Sequence, residues 1–131
     1  MNLLIDNQDN TEAIARCSYL AGLLDGDGCI YANKRSRSTR GKVNGKSYET
    51  FMYFLTVEIS MCSYDAMKKI HEWFGGTLTV QKSRTGRPYY HWRVWNDAAV
   101  EVLKLIYPYL IIKKKQAALA FKFREVIKRL S

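Results

Sequence analysis

Asp25 and Asp27 stand in the run Leu20-Ala21-Gly22-Leu23-Leu24-Asp25-Gly26-Asp27-Gly28, where an apolar helical repeat gives way to glycine. A carboxylate at a helix C-terminus faces the negative end of the helix dipole, at a cost of about 0.3–1 kcal/mol. Two such carboxylates point to a bound cation. The competing reading is a glycine-capped helix end with two solvated aspartates. For a bare Asp-Gly-Asp-Gly string the two readings stand about level.

A helix must carry these acids. Ala13, Ile14, Tyr19, Leu20, Leu23 and Leu24 recur at helical spacing, Thr11 is the candidate N-cap, and Gly26 and Gly28 are the stop. Asp27 is expected just past the helix end. Ser18, Ala21, Gly22 and Asp25 fall at i, i+3, i+4 and i+7 and form a stripe of small and polar side chains. Glycine inside a helix costs roughly 1 kcal/mol against alanine, so Gly22 needs a packing reason. Close approach of a second helix is one. Leu20, Leu23 and Leu24 are then left to the chain's own core.

Downstream the period changes from helical to alternating. Residues 29–37 read as a strand, with Ile30 and Ala32 against Tyr31, Asn33, Arg35 and Arg37. Residues 38–47 read as a basic Gly/Ser loop, and 48–60 as a second strand. Ser63 caps a helix whose apolar face is Ala66, Met67, Ile70, Trp73 and Phe74, ended by Gly75-Gly76. A third strand is expected over 77–84, with Leu78 and Val80 inward and Thr79, Gln81 and Ser83 outward. A turn at 84–88 leads to a fourth strand at 89–95. Asn96 or Asp97 caps a helix over about 98–107, stopped by Pro108, and 113–130 is a basic helix. The order is αββαββα with an extra helix at the end. It predicts an α+β fold, a four-stranded antiparallel sheet with helices on one face.

The other sheet face then carries Tyr31, Asn33, Arg35, Arg37, Thr56, Glu58, Gln81, Ser83 and Arg93. For any one of these a solvated strand face is the default; their collective asymmetry is what suggests nucleic acid. A β-ribbon fits the DNA major groove, where each base pair shows a distinct donor and acceptor pattern.

Composition agrees. The chain has 131 residues, 47% of them hydrophobic, enough for one domain over 1–131 with a real core. Its formal net charge of +9 suits nucleic acid better than an acidic partner or a neutral metabolite. Cys17, Cys29 and Cys62 are odd in number and form no C-x-x-C pair, which disfavours zinc and a disulfide framework and fits a reducing compartment. No apolar run reaches membrane-spanning length, and the first residues resemble neither a signal nor a transit peptide. His71 and His91 are isolated and read first as structural, His91 being the better candidate for a functional contact.

Taken together, the run at 20–28 resembles the signature of the LAGLIDADG homing endonucleases. It matches seven of nine letters, with Leu24 for Ile and Gly26 for Ala. Phe74-Gly75-Gly76 resembles the family's F-G-G turn, and Pro108 to Ala117 its closing segment. The likeness covers nearly the whole chain and is to the single-motif, homodimeric members. It implies a curved sheet saddling the DNA major groove, with motif helices side by side at the dimer axis. It implies metal at Asp27 and at the Gly26 carbonyl, and an approach of Lys113 to the active site, with Lys115 as its neighbour and as a DNA contact. Ser18, Ala21, Gly22 and Asp25 would line the dimer interface. Mg²⁺ is the implied cofactor, with Mn²⁺ or Ca²⁺ able to bind, since carboxylate, carbonyl, water and phosphate oxygens suit a hard cation. Many members place a glutamine just before the middle helix; here that position is Met61, so Ser60 or Ser63 would have to substitute.

The resemblance implies a site-specific double-strand DNA endonuclease of intron homing, acting on a long pseudo-palindrome. The alternative on the same fold is an inactive DNA-binding regulator or an RNA-splicing maturase. The expected partners are double-stranded DNA and a second copy of the chain, with no membrane and no small-molecule cofactor. The compartment stays open between organelle, bacterium and phage. An unrelated RNA-binding domain fits worst, for the strands lack its glycine–aromatic signature.

Overall fold

The computed structural model describes the backbone at residues 3–43 and 46–130 and the side chains at 10–36 and 51–130. Helix α1 (Leu3–Asp27) leads into the paired strands β1 (Gly28–Val43) and β2 (Lys46–Met61). Helix α2 (Tyr64–Phe74), strands β3 (Thr77–Lys82) and β4 (Pro88–Trp95) and helix α3 (Asn96–Ile106) follow. A 3-10 turn (Tyr107–Tyr109) then joins helix α4 (Lys114–Leu130). The four strands form one antiparallel sheet in the order β1-β2-β4-β3.

Burial explains this order. Leu55, Val57 and Ile59 alternate on β2, with Trp92 and Val94 beside them on β4, and all five are buried. Leu20 and Leu24 of α1, Ile70 of α2, and Leu103 and Ile106 of α3 close over them. Ser63 caps α2 by accepting the Ala66 N–H. Gly75 and Gly76 follow at φ +72 and +83. A Cβ at Gly76 would come within 2.6 Å of the Arg93 carbonyl, so only glycine passes between the helix and β4. The Gly75 carbonyl in turn accepts the indole N–H of Trp92 at 2.7 Å, satisfying the one polar atom of a fully buried ring.

Four expectations from the sequence need correction. The first helix begins at Leu3, so Thr11 lies inside it and Asp27 is its last residue. Of the stretch expected as a loop at 38–47, residues 38–43 and 46–47 are strand, with Ser38 opposite Glu49, Val43 opposite Lys46 and a register shift between Ser38 and Lys42, while 44–45 lie outside the described residues. Cross-strand hydrogen bonding there overrides the Gly/Ser propensity. Val80, expected inward, is 64% exposed on the sheet's edge strand. Asn96 caps nothing: it takes φ +54, and its Oδ1 accepts the Leu55 N–H at 3.0 Å, pinning the start of α3 to β2. Asp97 instead binds Arg124 at 3.1 Å and Lys128 at 2.8 Å, joining α3 to α4.

Candidate active site and nucleic-acid face

The last turn of α1 is fastened to a segment far along the chain. Asp25 accepts the Ile111 N–H at 2.8 Å on one oxygen and the Lys113 N–H at 2.9 Å on the other. The Lys113 ammonium donates back to the Asp25 carbonyl at 2.8 Å, placing a cation on the negative end of the helix. Desolvation raises the Asp25 carboxyl, but the amides of Ile111, Lys113 and Ile112 and the Lys113 charge outweigh it and hold the group below its ordinary value.

Asp25 is therefore spoken for. Asp27 is exposed, and its side chain has no hydrogen bond or ion pair among the described residues. The last carbonyls of a helix lack intrahelical partners. Lys113 takes that of Asp25, and the Gly26 carbonyl belongs to the same end. This donor set, a solvated carboxylate and a helix-end carbonyl, suits a hard divalent cation. It is only part of a shell: the described residues contain no group of three or more His, Cys, Asp or Glu able to hold a metal.

Met61 ends β2, two residues past the Ile59 that pairs with Gly28. It lies opposite Tyr90, partly buried and packed against the core. Its two candidate substitutes are committed elsewhere, Ser60 to His91 at 2.6 Å and Ser63 to the α2 cap.

The outward face of α1 differs from the expected stripe. Ala21 is fully buried in the chain's own core, and the Asp25 carboxylate faces residues 111–113, so neither is presented for a partner. The helix turns Ala15, Ser18, Gly22 and Gly26 to the surface instead. A Cβ built on Gly22 or on Gly26 meets nothing within 4 Å, so nothing inside the chain requires a glycine at either.

The sheet face away from the helices holds most of the residues expected there, in different roles. The register sets Tyr31, Thr56 and Trp95 in one row, with Asn33 beside Phe54 and Arg35 beside Met52. Arg35 is exposed, its guanidinium 5.4 Å from the Phe54 ring centre. Gln81 is exposed and accepts the Tyr89 hydroxyl at 2.6 Å, and Lys115 is exposed in the first turn of α4. Ser83 sits past the end of β3, in a turn closed by Gly86. Arg37 lies opposite Thr50, and its side chain falls outside the described residues.

Two of the expected contacts are not available. Thr56 is 2% exposed. Glu58 is bound within the sheet, to His91 Nε2 at 2.9 Å and Arg93 Nε at 3.1 Å. Desolvation and then the Glu58 carboxylate beside it raise the Tyr31 hydroxyl above its ordinary range. The chain Ser60–His91–Glu58–Arg93 was missed in the sequence. The alternation had put His91 and Arg93 on this face, but only the strand register brings them to Ser60 and Glu58.

The family model for LAGLIDADG endonuclease matches residues 20–127. No curated protein matches the chain. Among solved structures, the homing endonuclease I-CvuI, in complex with the I-CreI target with magnesium present and the DNA not cleaved, superposes with a TM-score of 0.64. It is 21% identical over 87% of this chain and 68% of its own. The archaeal intron-encoded homing endonuclease I-Vdi141I, complexed with DNA, gives 0.63 at 16% identity over 87% of this chain and 69% of its own. I-LtrWI, bound to target DNA, gives 0.61 at 17% identity, over 89% of this chain and 39% of its own. At these identities the structures speak for the fold.

Proposed function

The chain belongs to the LAGLIDADG endonuclease family, and from that premise we propose that it is a site-specific double-strand DNA endonuclease, homodimeric and dependent on divalent metal. The observation that carries this reading is the end of α1. There the exposed Asp27 stands two residues from the carbonyl that the Lys113 ammonium holds at 2.8 Å. A group able to take a cation and a group able to meet a phosphate thus share one helix end.

Each chain brings one such acid. Phosphodiester hydrolysis between two ions, roughly 3.5–4 Å apart in typical sites, draws on acids from more than one direction. A second copy supplies the other half by two-fold symmetry. Its seam would run along Ala15, Ser18, Gly22 and Gly26, where small side chains let two helix backbones come close. Asp27 and the Gly26 carbonyl would hold Mg²⁺, which supplies activation of the attacking water and charge stabilisation at the phosphate. Lys113 would add positive charge there. Asp25 keeps the segment bearing Lys113 in place. The outer sheet face, with Arg35, Arg93, Asn33 and Gln81, would lie in the major groove. A dimer with twice the formal charge of +9 would read a pseudo-palindrome. The DNA complexes of I-CvuI, I-Vdi141I and I-LtrWI support this, as do the I-CvuI complexes described with magnesium and with calcium.

One observation favours a second reading, a protein of this fold that binds nucleic acid without cutting it. Met61 packs against the core while Ser60 and Ser63 are engaged, so none of the three is set to order a water beside the metal. A single assay separates the two: purified chain with Mg²⁺ on duplex DNA spanning the intron-less form of its host gene. Cutting of both strands, lost in Asp27→Asn while binding persists, is the expected result. Cutting by that variant removes Asp27 as metal ligand. Binding by the unaltered chain without cutting, in Mg²⁺ and in Mn²⁺, establishes the second reading.

A further inference from the structure

Four polar side chains form a chain across two strands, on the sheet face turned away from the helices. Ser60 and Glu58 belong to β2, His91 and Arg93 to β4, and the register sets Ser60 opposite His91 and Glu58 opposite Arg93. One oxygen of Glu58 meets both His91 Nε2 at 2.9 Å and Arg93 Nε at 3.1 Å. Either ring nitrogen of His91 can donate or accept, according to the tautomer. The Arg93 Nε–H is donated toward His91 Nε2 at 2.7 Å, and the guanidinium stays within ion-pair range of Glu58 Oε2 at 3.1 Å. The second ring nitrogen of His91 is held by the Ser60 hydroxyl at 2.6 Å.

Exposure varies along this chain. The side chains of His91 and Glu58 are 11% and 20% exposed, and that of Arg93 37%. The middle of the chain is the covered part, and both ends, Ser60 and Arg93, reach the surface. That arginine borders a hollow of about 230 Å³ with Tyr31, Asn33 and Trp95. Glu58 has one oxygen shared by His91 and Arg93, and its side chain also interacts with the Tyr31 hydroxyl. Arg93, held by Nε, keeps the four N–H groups of its terminal nitrogens. β4 is an inner strand, so this guanidinium stands away from the sheet rim. Its planar fork fits the O6 and N7 acceptors of guanine. Ordering it before binding removes a conformational cost from the encounter.

We propose that Glu58, backed by His91 and Ser60, touches no base itself and is a positioning residue that presents Arg93 to a guanine. This rests on the DNA-binding reading above. A carboxylate on such a face would otherwise be read as a cytosine contact, and the two roles predict different base preferences.

The test is binding selection from a pool of random duplex DNA in Ca²⁺ buffer. The full chain is compared with Arg93→Ala, Glu58→Ala, Glu58→Gln and the Arg93→Ala/Glu58→Ala double variant. The unaltered chain should enrich a guanine at one position of each half-site, and Arg93→Ala should flatten that position. Glu58→Ala should weaken the same preference on the order of tenfold. Glu58→Gln, which keeps the shape and a polar oxygen beside Arg93 but not the charge, should restore part of it. The double variant should be no worse than Arg93→Ala alone.

Loss of a different base preference in Glu58→Ala would overturn the proposal, since Glu58 would then be a reader itself. So would an unchanged profile in that variant. An even loss of affinity at all positions in Arg93→Ala, with the salt slope reduced by about one, makes Arg93 a phosphate contact and equally ends it. If Glu58→Ala does not fold, the near-isosteric Glu58→Gln carries the test: partial loss at the Arg93 position supports the proposal, and loss elsewhere refutes it. A chain that enriches no sequence overturns the DNA-binding reading and this inference with it.

Discussion

Removing the Asp25 carboxylate leaves the Ile111 and Lys113 amides without their acceptor. Asp25→Ala should therefore cost about 1–3 kcal/mol in urea unfolding, the worth of hydrogen bonds to a charged acceptor. The same bonds make a pH prediction. The folded carboxyl titrates below its ordinary 3.8. Its contribution is complete above that pH and fades as pH falls through the lower folded value. The stability gap between the unaltered chain and Asp25→Asn should thus narrow on acidification below about pH 4 and stay flat above it. A gap that grows on acidification would contradict the bonding. Asp27 should behave in the opposite way. Asp27→Asn removes an exposed charge from the negative helix end, so it should leave the uncomplexed chain as stable or more stable by about 0.3–1 kcal/mol while abolishing cleavage. Lys113→Met should lose stability, because its ammonium holds the helix end, and also cleavage if Lys113 acts in the proposed site. Cleavage and melting data on this pair of variants check the assignment. The place of Asp27 at the end of the first helix was legible from the sequence. The inward commitment of Asp25 was not, since its acceptors meet donors 86 and 88 residues away.

Gly22 provides a test at the level of a helix. Its Cβ position is open within the chain, so Gly22→Ala should stabilise the protomer by up to about 1 kcal/mol. If a second α1 lies against it, the same change should weaken self-association in sedimentation velocity. A protomer that gains stability with no change in association would argue against the helix seam. Elements were legible where one period dominates. The apolar repeat of α1, the alternation of β4 and the Ser63 to Gly75 frame of α2 all follow from local chemistry. Residues 38–47 did not, because glycine and serine favour a loop until a partner strand takes up their hydrogen bonds. Ala21 was misplaced for a related reason. Ala21 and Gly22 are neighbours on the helix, and only the packed sheet decides which of them is covered.

At the scale of the whole molecule, charge and shape act together. The +9 chain should bind duplex DNA with affinity that falls linearly in log salt. Arg35→Ala should weaken binding, and it should reduce the slope by about one where Arg35 meets phosphate. A slope near zero in the unaltered chain would sink the electrostatic footprint. The overall architecture was legible from element order alone, whereas the polar chain from Ser60 to Arg93 needed the β2–β4 register. That register spans only Thr56 to Met61 on β2, while β1 and β2 pair from Gly28 out to Val43. The outer part of this hairpin, Ala32 to Val43 on β1, runs on beyond β4, its inner residues lying against α4, with Ala32 and Leu55 beside Leu119 and Phe123, and Phe51 to Phe54 beside Arg124 and Ile127. Among the described residues the core on β2 begins at Leu55, so positions toward the tip of the hairpin lie outside that core. A target could thus drift over generations at its outer base pairs and be followed by changes toward that tip alone. Base pairs read near Arg93 would be tied to the linked side chains beside it, and slower to change.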